Sequence, residues 1–130
     1  MNSLEYLWKI SIGVLITLLC TSFSYRVVPI VTLNGRTNGA ISSYEFSQYK
    51  CLNIDTLNHS CIVSKYTLYH ISLTKDVEVF KGSKANFSSP IQAAVHIAER
   101  GDKYIFINVM VQCNGDKTPV IVNPLSFNIR

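Results

Sequence analysis

Two side chains are spaced for chemistry. His96 and Glu99 stand three positions apart in a stretch that reads as helix, which would put an imidazole and a carboxylate on one face. Such a pair can start a metal site or pass a proton. A metal needs a third ligand, and no His, Cys or carboxylate falls at a usable spacing, so the pair reads as a solvated helix face. His59 and His70 have no sequence partners. Serines are plentiful, but no Gly-x-Ser-x-Gly elbow and no Ser/His/Asp order is present, and no glycine-rich phosphate loop appears. No catalysis, cofactor or metal is therefore expected. What remains is a set of tyrosines (Tyr44, Tyr49, Tyr66, Tyr69) with polar turn residues (Asn34, Asn38, Ser42-Ser43). Carbohydrate sites use such groups, an aromatic face against the sugar ring and hydroxyls or amides at its rim. Each tyrosine taken alone is better read as a half-buried strand residue with a wet hydroxyl.

The element that organises the chain runs from Asn86 to Cys113. Ser88 and Ser89 can cap a helix and Pro90 fits its first turn, where a missing N–H costs nothing. Ile91, Ala94, Val95 and Ala98 recur on one face, with Gln92, Glu99 and Arg100 pointing elsewhere, and Gly101 is placed to end the helix. The spacing predicts a helix over 90–100, then a strand from Tyr104 to Cys113 broken only by Asn108.

Before the helix, Arg26 to Leu33 is an edge-strand candidate because Pro29 removes a ladder donor, and Asn34-Gly35 and Asn38-Gly39 mark turns. Ala40 to Ile54 reads as extended, Asp55 to His59 as a turn, and Cys61 to Leu73 as one long strand or two. In Asp76 to Phe80, Val77 and Val79 share one face. After the helix, Asn114-Gly115-Asp116 turns the chain into a last strand from Val120 that reaches Ile129 beyond Pro124. The expected class is mainly β with one helix, inserted between the third and fourth main strands, as in a small barrel resembling the five-stranded oligomer-binding (OB) fold. An open α+β sheet has the same element order.

The chain has 130 residues, room for one domain. Ile10 to Phe23 is almost wholly apolar and follows a short start bearing Lys9, which is a signal-peptide pattern. Ser22-Phe23-Ser24 suits a peptidase cutting before Tyr25, so residues 1–24 are expected to be the leader and 25–130 the domain. The run falls short of the roughly 20 residues of a spanning helix, although an uncleaved anchor is the alternative. Loss of Lys9 and Glu5 with the leader leaves the net charge at +4, spread over scattered residues, which argues against nucleic acid. Export would make cysteine pairing favourable. Cys51, Cys61 and Cys113 allow three pairings; a hairpin through Asp55 to His59 favours Cys51 with Cys61 and leaves Cys113 odd. Asn58-His59-Ser60 and Asn86-Phe87-Ser88 match the N-glycosylation pattern, which would matter in a eukaryotic or viral secreted chain.

Several stretches resemble the B subunits of bacterial AB5 toxins, nearest to the subtilase-cytotoxin, typhoid-toxin and pertussis-toxin branch. They are Tyr49-Lys50-Cys51-Leu52, returning at Ser60-Cys61-Ile62-Val63; then Asn86-Phe87-Ser88-Ser89 opening a helix with Ala93-Ala94 and Ala98; then Gly101 and the strand Tyr104 to Val109. The resemblance covers roughly Tyr44 to Cys113. It implies a secreted or periplasmic subunit with the OB-type barrel, a homopentamer about central helices in which Gln92, His96 and Glu99 could line the pore. It further implies partners in host-cell glycans, sialylated ones included, and in a separate catalytic A subunit. The glycan-binding candidates are Thr32, Ser42, Ser43, Tyr44 and Asn108. Phe106 stands where that branch commonly has a basic residue, which weakens the usual contact to a sialic-acid carboxylate. The competing expectation is a monomeric secreted β-sandwich of immunoglobulin type, which would lack the helix. A third is a periplasmic inhibitor or chaperone-like factor.

Overall fold

The computed structural model describes residues 28–55 and 60–130. The expected leader, the cleavage point before Tyr25, the acceptor Asn58 and most of the predicted Asp55–His59 turn lie outside them. In chain order the elements are β1 (Ile30–Thr32), β2 (Asn38–Ile41), α1 (Ser43–Ser47), β3 (Asn53–Asp55), β4 (Cys61–Ile71) and β5 (Glu78–Gly82). They continue with α2 (Ser89–His96), β6 (Lys103–Cys113), β7 (Val120–Ile121) and β8 (Leu125–Ile129). The main sheet runs β2-β8-β6-β4-β5, with β7 on β6, while β1 and β3 form a separate antiparallel pair. The fold is mainly β, and α2 falls between the third and fourth strands of that five-strand path, as the sequence order suggested. Among the described residues the ladders form an open path with β2 and β5 at its ends.

The paired strands β4 and β6 are the spine. Register places Leu68 opposite Phe106 and His70 opposite Tyr104, and β8 brings Leu125 and Phe127 to the same face. Tyr66, Leu68, Tyr104, Phe106, Leu125 and Phe127 are all buried there. Both helices cover this face. From α2, Ile91, Ala94 and Val95 are buried, and the Tyr104 hydroxyl donates to the Ala94 carbonyl at 2.7 Å. From α1, the Phe46 ring lies 4.4 Å from Tyr104 and 6.2 Å from Phe127. Burying a side chain such as Ile91 or Val95 contributes about 1.5–3 kcal/mol, more than an eight-residue helix gains from propensity alone.

Several expectations are corrected. The disulfide joins Cys61 to Cys113, and Cys51 is free. The reason is register: Cys61 and Cys113 are direct partners across β4 and β6 with Cα atoms 3.9 Å apart, and the Asn114 N–H to Ser60 carbonyl bond marks them as a non-hydrogen-bonded pair, where side chains come closest. Cys51 instead sits in an isolated bridge with Asn86. The stretch read as extended from Ala40 contains α1. Helix α2 ends at His96 rather than Arg100, because the chain turns at Ile97 and reaches a left-handed Gly101 (φ 93°). Glu99 is therefore not on the helix with His96, and the two do not form a helical i,i+3 pair. The alternation from Asp76 to Phe80 needs no correction: Val77 and Val79 are both more than half exposed, and Phe80 turns inward opposite the buried Leu68.

Candidate functional site

The exposed chemistry gathers around α1. Ser42 caps this helix, its hydroxyl accepting from the Glu45 N–H at 3.2 Å, and Phe46 anchors it in the core. With Phe46 inward, Tyr44 is thrown outward and is 77% exposed. Ser43 follows the cap and its N–H donates to the Arg130 carbonyl. The Ser47 hydroxyl donates to the Tyr44 carbonyl at 2.8 Å, and the Gln48 amide reaches Ser47.

One turn on, the Tyr49 ring packs edge-on against Phe46, with its hydroxyl donating to Glu45 Oε1 at 2.8 Å. The Asn34 amide, in the β1–β2 turn, approaches that hydroxyl at 3.5 Å. Burial, and then the bond to Glu45, hold the Tyr49 phenol above its ordinary value, while Asn34 pulls the other way. The exposed Tyr44 ring thus shares a short helix with Ser47 and Gln48, and the same helix, whose inward side is fixed, presents the hydrogen-bonded group of Glu45, Tyr49 and Asn34. That arrangement can stack on a sugar ring and hydrogen-bond its rim.

Of the five expected glycan residues, Ser42, Ser43 and Tyr44 are adjacent at the start of α1. Thr32 is buried in β1 opposite Asn53, and Asn108 lies on β6 with a left-handed backbone (φ 51°). No hydrogen bond joins Thr32 or Asn108 to the other three among the described residues. Asn34 and Tyr49 do join the α1 group. Glu45 was missed, yet Ser42-Ser43-Tyr44-Glu45 is the Ser-x-x-Glu spacing of a helix start, a signal present in the sequence.

A second polar group lies inside the fold. His70, 3% exposed, places Nε2 3.0 Å from Asp102 Oδ2, and its ring stacks on Tyr104 at 4.4 Å. Asp102 Oδ2 also accepts the Glu99 N–H at 3.0 Å. On the other side, His70 Nδ1 lies 3.4 Å from Glu78 Oε1 without hydrogen-bond alignment. Its buried imidazole is tied to Asp102, and through it to the turn after α2, which suits a role in packing. Sequence reading had no partner for His70, since Asp102 is 32 residues away and β4–β6 pairing alone brings them together.

Gln92, expected at a pore, uses its amide to donate to the Tyr49 carbonyl at 3.2 Å, whereas His96 and Glu99 are exposed. Among the described residues no group of three His, Cys, Asp or Glu is placed to hold a metal ion, and no helix is long and apolar enough to cross a membrane. The chain matches no family model, and no curated protein matches it.

Proposed function

We propose that this chain is an exported, non-enzymatic glycan-binding subunit of the kind its sequence resembles, a B subunit that assembles as a homopentamer and carries a separate catalytic A subunit to host cells. The observation that carries the reading is Tyr44: a large aromatic ring, 77% exposed, on a helix whose opposite side is anchored in the core by Phe46. A ring left open to solvent offers an apolar face on which a sugar ring can stack, with its hydroxyl free for the rim. The Glu45 carboxylate favours a neutral sugar over a sialylated one, since it would repel the sialic-acid carboxylate.

Other features support the coarser parts. A disulfide fits a non-reducing compartment and hence export. The buried state of His70 and Asp102 suits a chain without catalysis. Away from the helices, the outer sheet face carries Tyr69, Val79, Ile105 and Ile107, more apolar than a solvated antiparallel face usually is, which suits assembly. Helix α2 weighs against the monomeric immunoglobulin-like sandwich, although the exposed acceptor Asn86 is what that alternative requires.

The test combines native mass spectrometry of the oxidised protein with an array of neutral and sialylated glycans. Assembly near five chains and retention on neutral glycans, lost at least tenfold in Tyr44→Ala, is the expected result. A monomer that ignores every glycan overturns the proposal.

A further inference from the structure

Between β4 and the chain leaving β5 the main sheet splits. Tyr66 to His70 pair with Gly82 back to Glu78, and the same register continued would set Ser64 against Lys84 and Ile62 against Asn86. That continuation does not form. Residues 85–87 turn to the other neighbour, with the Leu52 N–H donating to the Ala85 carbonyl and the Phe87 N–H to the Lys50 carbonyl, both at 2.9 Å. The gap is an open groove of ≈ 770 Å³, with Cys61, Val63 and Ser64 on one wall, Lys84 and Asn86 on another, and Leu52 adding apolar lining.

Both walls offer main-chain groups to this gap. Because Cys61 and Cys113 are a non-hydrogen-bonded pair, Cys61 and Val63 direct their N–H and C=O away from β6, to the side where β5 is no longer paired. The Cys51–Asn86 bridge has the same geometry, so the Asn86 N–H and C=O point away from Cys51. No ladder satisfies either set among the described residues.

We propose that this groove binds an extended peptide segment of a partner protein, which adds as a strand to the open edge of β4 at Cys61–Val63. Main-chain bonds to both walls supply affinity, apolar side chains of the peptide meet Ile62 and Ile54, and a carboxylate meets Lys84, the charged side chain of the lining. This site lies on elements other than α1 and stands whether or not the chain binds glycans.

The experiment pans a phage-displayed library of random heptapeptides on the oxidised full chain and measures the enriched peptides by fluorescence anisotropy and backbone amide hydrogen exchange. Acidic peptides with alternating apolar residues should be enriched, and at saturation the amides of Cys61 and Val63 should exchange at least tenfold more slowly. The Ile62 amide, already directed to Gln112 on β6, should be unchanged. Ser83→Trp, at an exposed position of the lining, should abolish binding by blocking the groove. Lys84→Glu, a change at an exposed position that leaves the fold alone, should weaken acidic peptides at least tenfold. Enrichment of no peptide, protection of other amides only, or indifference to Lys84→Glu each overturns the proposal. Protection of Cys61 and Val63 that rises with protein concentration in the absence of peptide also overturns it, by making a second copy of the chain the occupant.

Discussion

His70 and Asp102 meet inside the fold with Nε2 and Oδ2 3.0 Å apart, joining the middle of the sheet to the turn that follows α2. The same carboxylate oxygen takes the Glu99 N–H, so one side chain satisfies both an imidazole and a turn. Asp102→Ala should therefore leave a buried donor and a backbone N–H without partners, at a cost of about 2–4 kcal/mol. Asp102→Asn keeps an acceptor and should cost about 1 kcal/mol. Urea unfolding with an unchanged m-value checks both; equal stability of the wild type and Asp102→Ala would show that the pairing is incidental.

Two buried tyrosines should respond in opposite ways to loss of their hydroxyls. Tyr104 donates to the Ala94 carbonyl, so Tyr104→Phe should destabilise by about 1 kcal/mol. The Tyr66 hydroxyl is buried without a partner, so Tyr66→Phe should be neutral or stabilising by about 1 kcal/mol. Burial pushes the Tyr66 phenol from 10.0 up to about 12 and raises Tyr104 as well, with help from the nearby carboxylates, Asp102 first among them. In each case the folded state holds the proton more tightly than the unfolded chain. The Tyr66 contribution is thus fully present below pH 10 and is lost as pH rises from 10 towards 12. Stability curves across that window should fall for the wild type and fall less steeply for Tyr66→Phe. Parallel curves would count against this account.

Helix α2 and strand β6 were legible because their signals are local: a cap, a proline, a 3.6-residue period, then a β-branched run. The class followed from their order. Helix α1 was hidden because Tyr44 and Phe46 alternate as a strand would, and five residues give no helical period. The cystine and the His70–Asp102 contact depend on β4–β6 register across 52 and 32 residues, which no local pattern encodes. Tyr44 was legible as a residue type, whereas its exposure follows from Phe46 being turned inward, a tertiary fact.

Gly82 is fixed by the ring opposite it. A Cβ at this position would overlap the Tyr66 ring, a side chain that is itself 2% exposed and enclosed. Neither group can move cheaply, since β5 is held to β4 at this pair. Gly82→Ala should destabilise by about 1–3 kcal/mol through overpacking, and the double variant Gly82→Ala with Tyr66→Leu should recover part of the loss. Additive losses in that cycle would mean that the two positions do not clash.

Asn108 owes its identity to the backbone as much as to any ligand. It sits where β6 departs from regular pairing, between the partners of Thr67 and Lys65, and its φ of 51° is a conformation that asparagine tolerates and most residues do not. Asn108→Gly should therefore hold or raise the thermal midpoint, whereas Asn108→Val should cost about 1–2 kcal/mol, because a β-branched side chain crowds the left-handed region. If Asn108 instead contacts a sugar, Asn108→Gly should keep the fold and lose retention on the glycan array. Calorimetry and the array together separate the two roles: unchanged retention with unchanged stability in Asn108→Gly assigns the residue to the bend in β6 alone.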